Sequence, residues 1–322
     1  MTTTSKPTLL QLLPLLPWLE SQMKERYEIL RWPAPADREA FLAANAQRIE
    51  GIVTSAAHGF DDALLASLPK ARVVSSFGVG LDKHDLPAAV RRGVQVGYTP
   101  DVLNDCVADL AFGLMLDVGR RLSHGDRYVR AGRWAGQPGT PASAPFPLGR
   151  QVSGANLGIV GLGRIGRTFA ERASGFRMDV RYHNRRPVEG VTWQHVPQLV
   201  DLARWADFLV VITAGGAQTR HLINDAVLDA LGPQGYLVNV SRGSVVDEEA
   251  LVRALQAGRI AGAGLDVFDR EPQVPEALFA LDNVVLTPHI ASATTQTRQA
   301  MGQRVLDNLD AHFDGKPLPS TA

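Results

Sequence analysis

The chain has 322 residues, with 33 Lys and Arg against 33 Asp and Glu, so its formal net charge is zero. Hydrophobic residues make up 45% and charged residues 20%, a globular composition that excludes a disordered or fibrous chain and shows no basic footprint for nucleic acid. At roughly 100–200 residues per domain, the length suggests two domains. The one cysteine, Cys106, excludes an internal disulfide framework, fits a reducing compartment and reads as a small buried hydrophobe on a helix.

From the N-terminus, LLQLLPLLPWL at residues 9–19 is too short to span a bilayer, is broken by Pro14 and Pro17, and lacks a small-residue cleavage site. It reads as a strand running into a helix. A cytoplasmic protein with no membrane partner is expected. Short apolar runs then predict strands at 52–55, 73–77, 94–97, 157–160, 180–183, 208–213, 236–241, 264–268 and 284–287. Amphipathic segments at 38–49, 226–231 and 247–257 alternate with them, which is the rhythm of parallel sheets covered by helices. A long helical stretch from 101 to about 130 ends in a Pro/Gly-rich loop at 136–154, and 294–313 reads as a final helix. The expected class is α/β, with a dinucleotide-binding domain inserted into a discontinuous first domain. Residues 1–99 and 290–322 would form the substrate domain, and 100–289 the cofactor domain.

Gly161-Leu-Gly163-Arg164-Ile165-Gly166 is a G-x-G-x-x-G fingerprint that follows the strand NLGIV and opens the helix RIGRTFAERAS. The first glycine permits the tight turn, the second lets a pyrophosphate approach the backbone, and the third lets the helix pack on the sheet. Free N–H groups at the helix start then favour the anion. A merely tight strand–helix turn is the bland alternative, against which the flanking strand and helix weigh. The next strand should end in an acid that binds the ribose hydroxyls of NAD. It ends instead in His183, followed by Asn184-Arg185-Arg186, while Asp179 sits at its start. Two arginines where an acid belongs point to a 2′-phosphate, hence NADP in preference to NAD. A solvated basic turn is the alternative.

Three patches follow at strand ends: VNVSRG with Val240, Ser241 and Arg242; GLDVFDREP with Asp266 and Glu271; and TPH with His289. Carboxyl ends of parallel strands converge on a ligand crevice. Arginine would fork onto a 2-keto carboxylate, histidine would deliver a proton to the carbonyl oxygen, and glutamate would hold the imidazolium. Singly, Arg242 could cap a helix, Glu271 could be a surface charge and His289 a satisfied core residue. Together, behind a dinucleotide fingerprint, they read as a site. No metal is expected.

These motifs, with SSFGVGLDKHD at 75–85, YTPDVLNDCVADLA at 98–111 and LTPHIASAT, resemble the D-2-hydroxyacid dehydrogenase family along nearly the whole chain. YHNRRP and the opening TLLQLLPLLPWLE are most similar to its NADPH-preferring hydroxypyruvate/glyoxylate reductase branch. The resemblance implies two Rossmann-like domains, one flavodoxin-like and one dinucleotide-binding, with a dimerisation arm at about 100–150. It implies Arg242, Glu271 and His289 as the catalytic set. Val79 and Gly80 would bind the substrate carboxylate through backbone N–H groups, and Ser292 would lie near the substrate. Asp266 would hold the nicotinamide carboxamide, and Thr213 would lie in the cofactor set. Trp134 would reach into the neighbouring subunit's site of a homodimer. Two departures stand out: Thr213-Ala-Gly-Gly216 replaces a Leu-Pro-containing loop, and His183 replaces an acid. Phosphoglycerate and 2-ketogluconate-type dehydrogenases are the enzymatic alternatives; no regulatory domain after Phe313 argues against a long phosphoglycerate dehydrogenase. An L-lactate-type enzyme is disfavoured, because its fingerprint would open the chain. A dinucleotide-sensing corepressor-like scaffold is the non-enzymatic alternative, against which zero net charge argues.

Overall fold

The computed structural model describes residues 6–135 and 146–322. The chain divides into two compact units, Met1–Leu103 with Thr294–Ala322, and Asn104–Ala293.

The first unit opens with β1 (Thr8–Gln11), α1 (Pro17–Arg26) and β2 (Glu28–Arg31). Pro17 falls in the first turn of α1, where its missing N–H has no partner to lose. Then come α2 (Arg38–Asn45), β3 (Ile49–Ser55), α3 (Asp62–Ser67), β4 (Val73–Phe77), α4 (Leu86–Arg92) and β5 (Gln95–Gly97). Asp61 and Asp85 cap α3 and α4 by accepting from the N–H groups of Leu64 and Ala88. All five strands are parallel in the order β2-β1-β3-β4-β5, a flavodoxin-like sheet. The terminal helix, Thr295–Phe313, returns to this unit, and the Ser75 hydroxyl donates to the Val305 carbonyl at 3.2 Å. The edge strand β2 went unread in the sequence, because its residues are only partly buried and carry no continuous apolar run.

The second unit begins with α5 (Asn104–Arg120) and α6 (Leu122–Arg130). The single helix expected over 101–130 is therefore two. Arg121 adopts a left-handed backbone (φ 57°) between them. Two competing hydrogen bonds, one of them from a residue distant in sequence, accompany the break. The Ser123 N–H, which would continue the helix by donating to Gly119, donates to Asp117 at 2.7 Å, and Arg150 N takes the Gly119 carbonyl at 2.7 Å. Cys106 lies on α5 and is half-buried, not fully buried as expected. Much of the Pro/Gly-rich loop expected at 136–154 lies outside the described residues.

Next come β6 (Asn156–Val160), α7 (Arg164–Gly175), β7 (Asp179–His183), β8 (Gln194–His195), α8 (Leu199–Trp205) and β9 (Phe208–Val211). The unit closes with α9 (Asp225–Leu231), β10 (Tyr236–Asn239), α10 (Glu248–Gln256), β11 (Gly262–Leu265) and β12 (Val284–Leu286). The seven parallel strands run β12-β11-β10-β9-β6-β7-β8. Strand order reverses between β6 and β9, the switch point at which dinucleotides bind. β9 and β10 are buried along their whole length, as expected of strands covered on both faces. Among the described residues no helix is long and apolar enough to cross a membrane.

One buried titratable group steadies the loop after β4. His84 is 7% exposed; its Nε2 meets the Ser76 hydroxyl at 2.9 Å, and Phe60 packs edge-on against the ring. Burial pushes this histidine down to about 4. The unfolded chain therefore takes up the proton first. The contribution to stability is complete above the ordinary value of about 6.5 and declines as pH falls toward 4, by roughly 1.4 kcal/mol per unit at most. Urea midpoints measured at pH 7 and pH 5 are expected to fall on acidification, with a shallower slope for His84→Gln.

Candidate active site

The fingerprint forms a cradle between β6 and α7. Gly161 has φ 101°, and a Cβ there would lie 2.6 Å from Thr213 Cα, so the turn passes tightly over the end of β9. A Cβ on Gly166 would lie 2.3 Å from the Gly161 carbonyl oxygen. Gly163 differs: a Cβ there would meet no protein atom within 4 Å. Packing alone thus requires two of the glycines, and the third leaves room beside the first turn of α7, which Arg164 and Ile165 begin and no side chain caps. A dinucleotide pyrophosphate fits this cradle.

At the end of β7, the Asn184 side chain accepts from Leu162 N at 2.7 Å, tying the turn after the strand to the fingerprint. His183 Nδ1–H donates to the Val196 carbonyl at 3.0 Å, and His195 Nε2–H donates to the Asn184 carbonyl at 2.9 Å. Arg185 and Arg186 are exposed, and Asp179 stands at the far end of the strand, also exposed. Among the described residues, β7 ends in His183 followed by Asn184, not in an acid.

The turn after β10 is organised by Asn239, a residue overlooked in the sequence although it lies inside VNVSRG. Its Oδ1 accepts from the backbone and hydroxyl of Ser241 (3.0 and 2.8 Å), and its Nδ2 donates to the Arg242 carbonyl at 3.0 Å. Val240 and Ser241 are buried, and Arg242 is half-buried, donating from Nη1 to the Ser241 carbonyl at 2.7 Å. Gly243 presses against the next loop: a Cβ there would lie 1.9 Å from the Phe268 carbonyl carbon.

Glu271 bridges that loop and the histidine. Oε1 accepts from Phe268 N at 3.0 Å, and Oε2 accepts from His289 Nδ1 at 2.7 Å. Burial pulls the Glu271 carboxyl upward, but the His289 hydrogen bond, the Phe268 N–H and the charges of His289 and Arg242 outweigh it and hold it below the ordinary value. Glu248, also unread in the sequence, braces the loop from α10 by accepting from Asp269 N at 2.8 Å, and burial pushes its carboxyl up. His289 is not a core residue, since 41% of its side chain is exposed. With Nδ1 donating to Glu271, Nε2 remains for a substrate.

Asp266 is 0% exposed. Oδ1 accepts from Thr287 Oγ1 (2.7 Å) and Ile290 N (2.8 Å), Oδ2 accepts from Ala291 N (2.9 Å), and its backbone carbonyl accepts from His289 N (2.9 Å). Burial pushes its carboxyl up despite these donors. Its carboxylate is bonded to the 287–291 turn and has no exposed surface. That turn carries His289 at φ 53°, a left-handed conformation unusual for a non-glycine.

The second unit thus brings the fingerprint, 184–186, Thr213, 239–242, 266–271 and 287–292 to the carboxyl ends of one sheet, with Ser292 half-buried just past the histidine turn. Val79 and Gly80 lie in the first unit, half-buried in the loop after β4. Trp134 follows α6 and is 77% exposed.

A glycine cradle at a strand-order switch point, joined to a histidine hydrogen-bonded to a carboxylate on neighbouring strand ends, defines a dinucleotide-dependent oxidoreductase. Residues 112–291 match the family described as D-isomer specific 2-hydroxyacid dehydrogenase, NAD binding domain. A hydroxyphenylpyruvate reductase of Plectranthus scutellarioides is 47% identical over 310 residues, 96% of each chain. A glyoxylate/hydroxypyruvate reductase A of Arabidopsis thaliana is 44% identical over 309 residues, again 96% of each. The solved NADPH-dependent glyoxylate/hydroxypyruvate reductase of Sinorhizobium meliloti, in complex with NADP and malonate, superposes with a TM-score of 0.91 at 41% identity, covering 99% of this chain and 97% of that one. The chain belongs to the D-isomer-specific 2-hydroxyacid dehydrogenase family.

The close approach at Gly243 gives a direct test of the site's framework. Gly243→Ala must push the Arg242 turn away from Phe268, and overpacking of this kind costs about 1–3 kcal/mol. A lowered melting temperature together with a lowered kcat/KM is expected; a protein unchanged in both would show that the two loops move independently.

Proposed function

We propose that the protein is an NADPH-preferring reductase that converts a small 2-keto acid, glyoxylate or hydroxypyruvate foremost, to the D-2-hydroxy acid. The observation that carries this reading is the 2.7 Å His289–Glu271 hydrogen bond with the Arg242 charge close enough to act on the same carboxylate. The printed activities of the relatives, reductases of hydroxyphenylpyruvate and of glyoxylate/hydroxypyruvate, support the substrate class. When bound, the reduced nicotinamide supplies the hydride for the carbonyl carbon. Its pyrophosphate fits against the N–H groups at Gly161–Gly166, with Thr213, Val240 and Ser241 at the adjoining strand ends. Arg242 forks onto the substrate carboxylate and fixes the keto group. His289 gives its Nε2 proton to the carbonyl oxygen as negative charge develops there, while Glu271 holds Nδ1–H and compensates the imidazolium. Arg185 reads the 2′-phosphate, with Arg186 beside it; the absence of an acid at the end of β7 removes a repulsion that an NAD-specific site would supply.

Assembly as a homodimer is part of the same reading. Leu122, Val129, Trp134 and Leu148 are all exposed large apolar residues on α6 or on the chain flanking it, and a second copy would cover them. Light scattering is expected to give a dimer, and Trp134→Ala to alter KM without dissociating it.

The decisive experiment is NADPH oxidation with glyoxylate, hydroxypyruvate, hydroxyphenylpyruvate and 2-ketogluconate in parallel. Turnover of none of them would favour the corepressor-like scaffold. His289→Ala is expected to lose about 10²–10⁴-fold in kcat. Glu271→Gln keeps the hydrogen-bond reach but deletes the charge that favours an imidazolium, so reduction should fail at lower pH than in the parent. An unmoved profile would uncouple the pair.

For the cofactor, kcat/KM with NADPH is expected to exceed that with NADH, and Arg185→Ala to shrink the ratio by roughly ten- to a hundredfold, the loss of one charge-assisted hydrogen bond. An NADH preference in the parent enzyme would overturn the assignment.

A further inference from the structure

The segment that departs from the family pattern, 213–216, leads into a turn that does not stand apart from the ribose corner. After β9 the chain passes Thr213 and the glycine pair 215–216, then turns through a single 3₁₀ turn, Ala217–Thr219. Thr219 fixes this turn on itself: its hydroxyl donates to the Ala214 carbonyl at 2.8 Å, and its N–H donates to the Gly216 carbonyl at 3.1 Å. Just downstream, His221 N and Ile223 N donate to the carbonyls of Ser244 and Val245, anchoring the loop to the segment after Arg242. The exposed side chain that this platform presents is Gln218, and its Oε1 accepts a hydrogen bond from Arg185 Nη1.

The chemistry of that contact matters more than its existence. Other arginines of the same unit are held by carboxylates: Arg172 by Asp105 and Asp109, Arg204 by Asp201, Arg253 by Asp225. Arg185 is held by a neutral amide, and among the described residues it has no ion pair. A carboxylate would orient the guanidinium but also cancel its charge. An amide carbonyl orients it and leaves the full charge for an incoming anion. The Gln218 amide nitrogen has no acceptor among the described residues, so its N–H groups remain as further donors beside the arginine.

We propose that Gln218 is a specificity-determining residue for the 2′-phosphate, positioning Arg185 without neutralising it and adding an N–H donor of its own. The proposal rests on the reading of Arg185 given above, and its test separates the two. The probes are 2′,5′-ADP and 5′-ADP, which differ by the 2′-phosphate, and the readout is the dissociation constant measured by calorimetry on the intact protein. Gln218→Glu is expected to weaken 2′,5′-ADP by about tenfold or more, and Gln218→Ala by roughly three- to tenfold, the factor given by an ordinary net hydrogen bond of about 1 kcal/mol at an exposed position. Both variants should bind 5′-ADP within about twofold of the parent, which also shows that they are folded. If Arg185→Ala weakens 2′,5′-ADP while both Gln218 variants bind it like the parent, the proposal is overturned and the Arg185 reading stands. A parallel loss of both probes would make Gln218 a scaffold residue and overturn it too. If Arg185→Ala leaves 2′,5′-ADP binding unchanged, both readings fall together.

Discussion

The buried carboxylate of Asp266 is the constraint on which the candidate site depends. Parallel strands deliver their carboxyl ends to one edge, but they do not by themselves fix the direction of a side chain one or two residues beyond the last ladder bond. Asp266 does this for β12 by taking three hydrogen bonds from the 287–291 turn, with a fourth made to its own backbone carbonyl. A non-glycine in the left-handed region persists only when its surroundings over-determine it. Here four bonds from one residue do so, and the residue they hold at φ 53° is His289. The acid partner is fixed by the same means from the other side, with Glu271 bound to Phe268 N and its loop braced by Glu248.

Each candidate site side chain is therefore set by a polar residue that bonds to the backbone around it. Asn239 sets the Arg242 turn, Asp266 sets His289, and Asn184 links the ribose corner to the fingerprint. All three are short side chains with two polar atoms, which bond to backbone groups a few residues away in sequence or across one strand gap. Such bonds are worth most where water is excluded, and both Asn239 and Asp266 are buried. The same carboxylate that would be expensive to bury alone is acceptable because it has three donors, even though burial still pushes its pKa up.

The fold was legible where sequence and geometry are locally coupled. Apolar runs bounded by turns marked most of the strands, and the fingerprint was readable because strand, glycines and helix are contiguous. Arg242, Glu271 and His289 could be grouped because parallel topology alone sends consecutive strand ends to one edge. What escaped depends on partners far away in the chain. The break at Arg121 needs Arg150 to take a carbonyl, and β2 is an edge strand with partial burial. The hydrogen bonds that Asp266 makes to a turn about twenty residues later are likewise encoded by no local pattern. Asn239 sat within a recognised motif, and only the coordinates separate the residue that makes the turn from the one that the turn presents.

Net charge adds a last constraint. A chain with equal numbers of acids and bases creates no global field to draw in anions. Yet a keto acid and a dinucleotide are both negatively charged, so attraction must be assembled locally. On the proposed reading the second unit does this with separate devices at one sheet edge: an uncapped helix start at Gly163, Arg242 beside the His289–Glu271 pair, and Arg185 with Arg186 at the end of β7. Each device is short-ranged under physiological salt, where screening acts over about 8 Å. Discrimination then falls to the immediate neighbours of each cation. Arg242 lies close to a carboxylate, which suits its proposed role of holding a keto acid beside a proton donor. Arg185 is held by a neutral amide, which keeps its charge whole for the 2′-phosphate proposed to bind there.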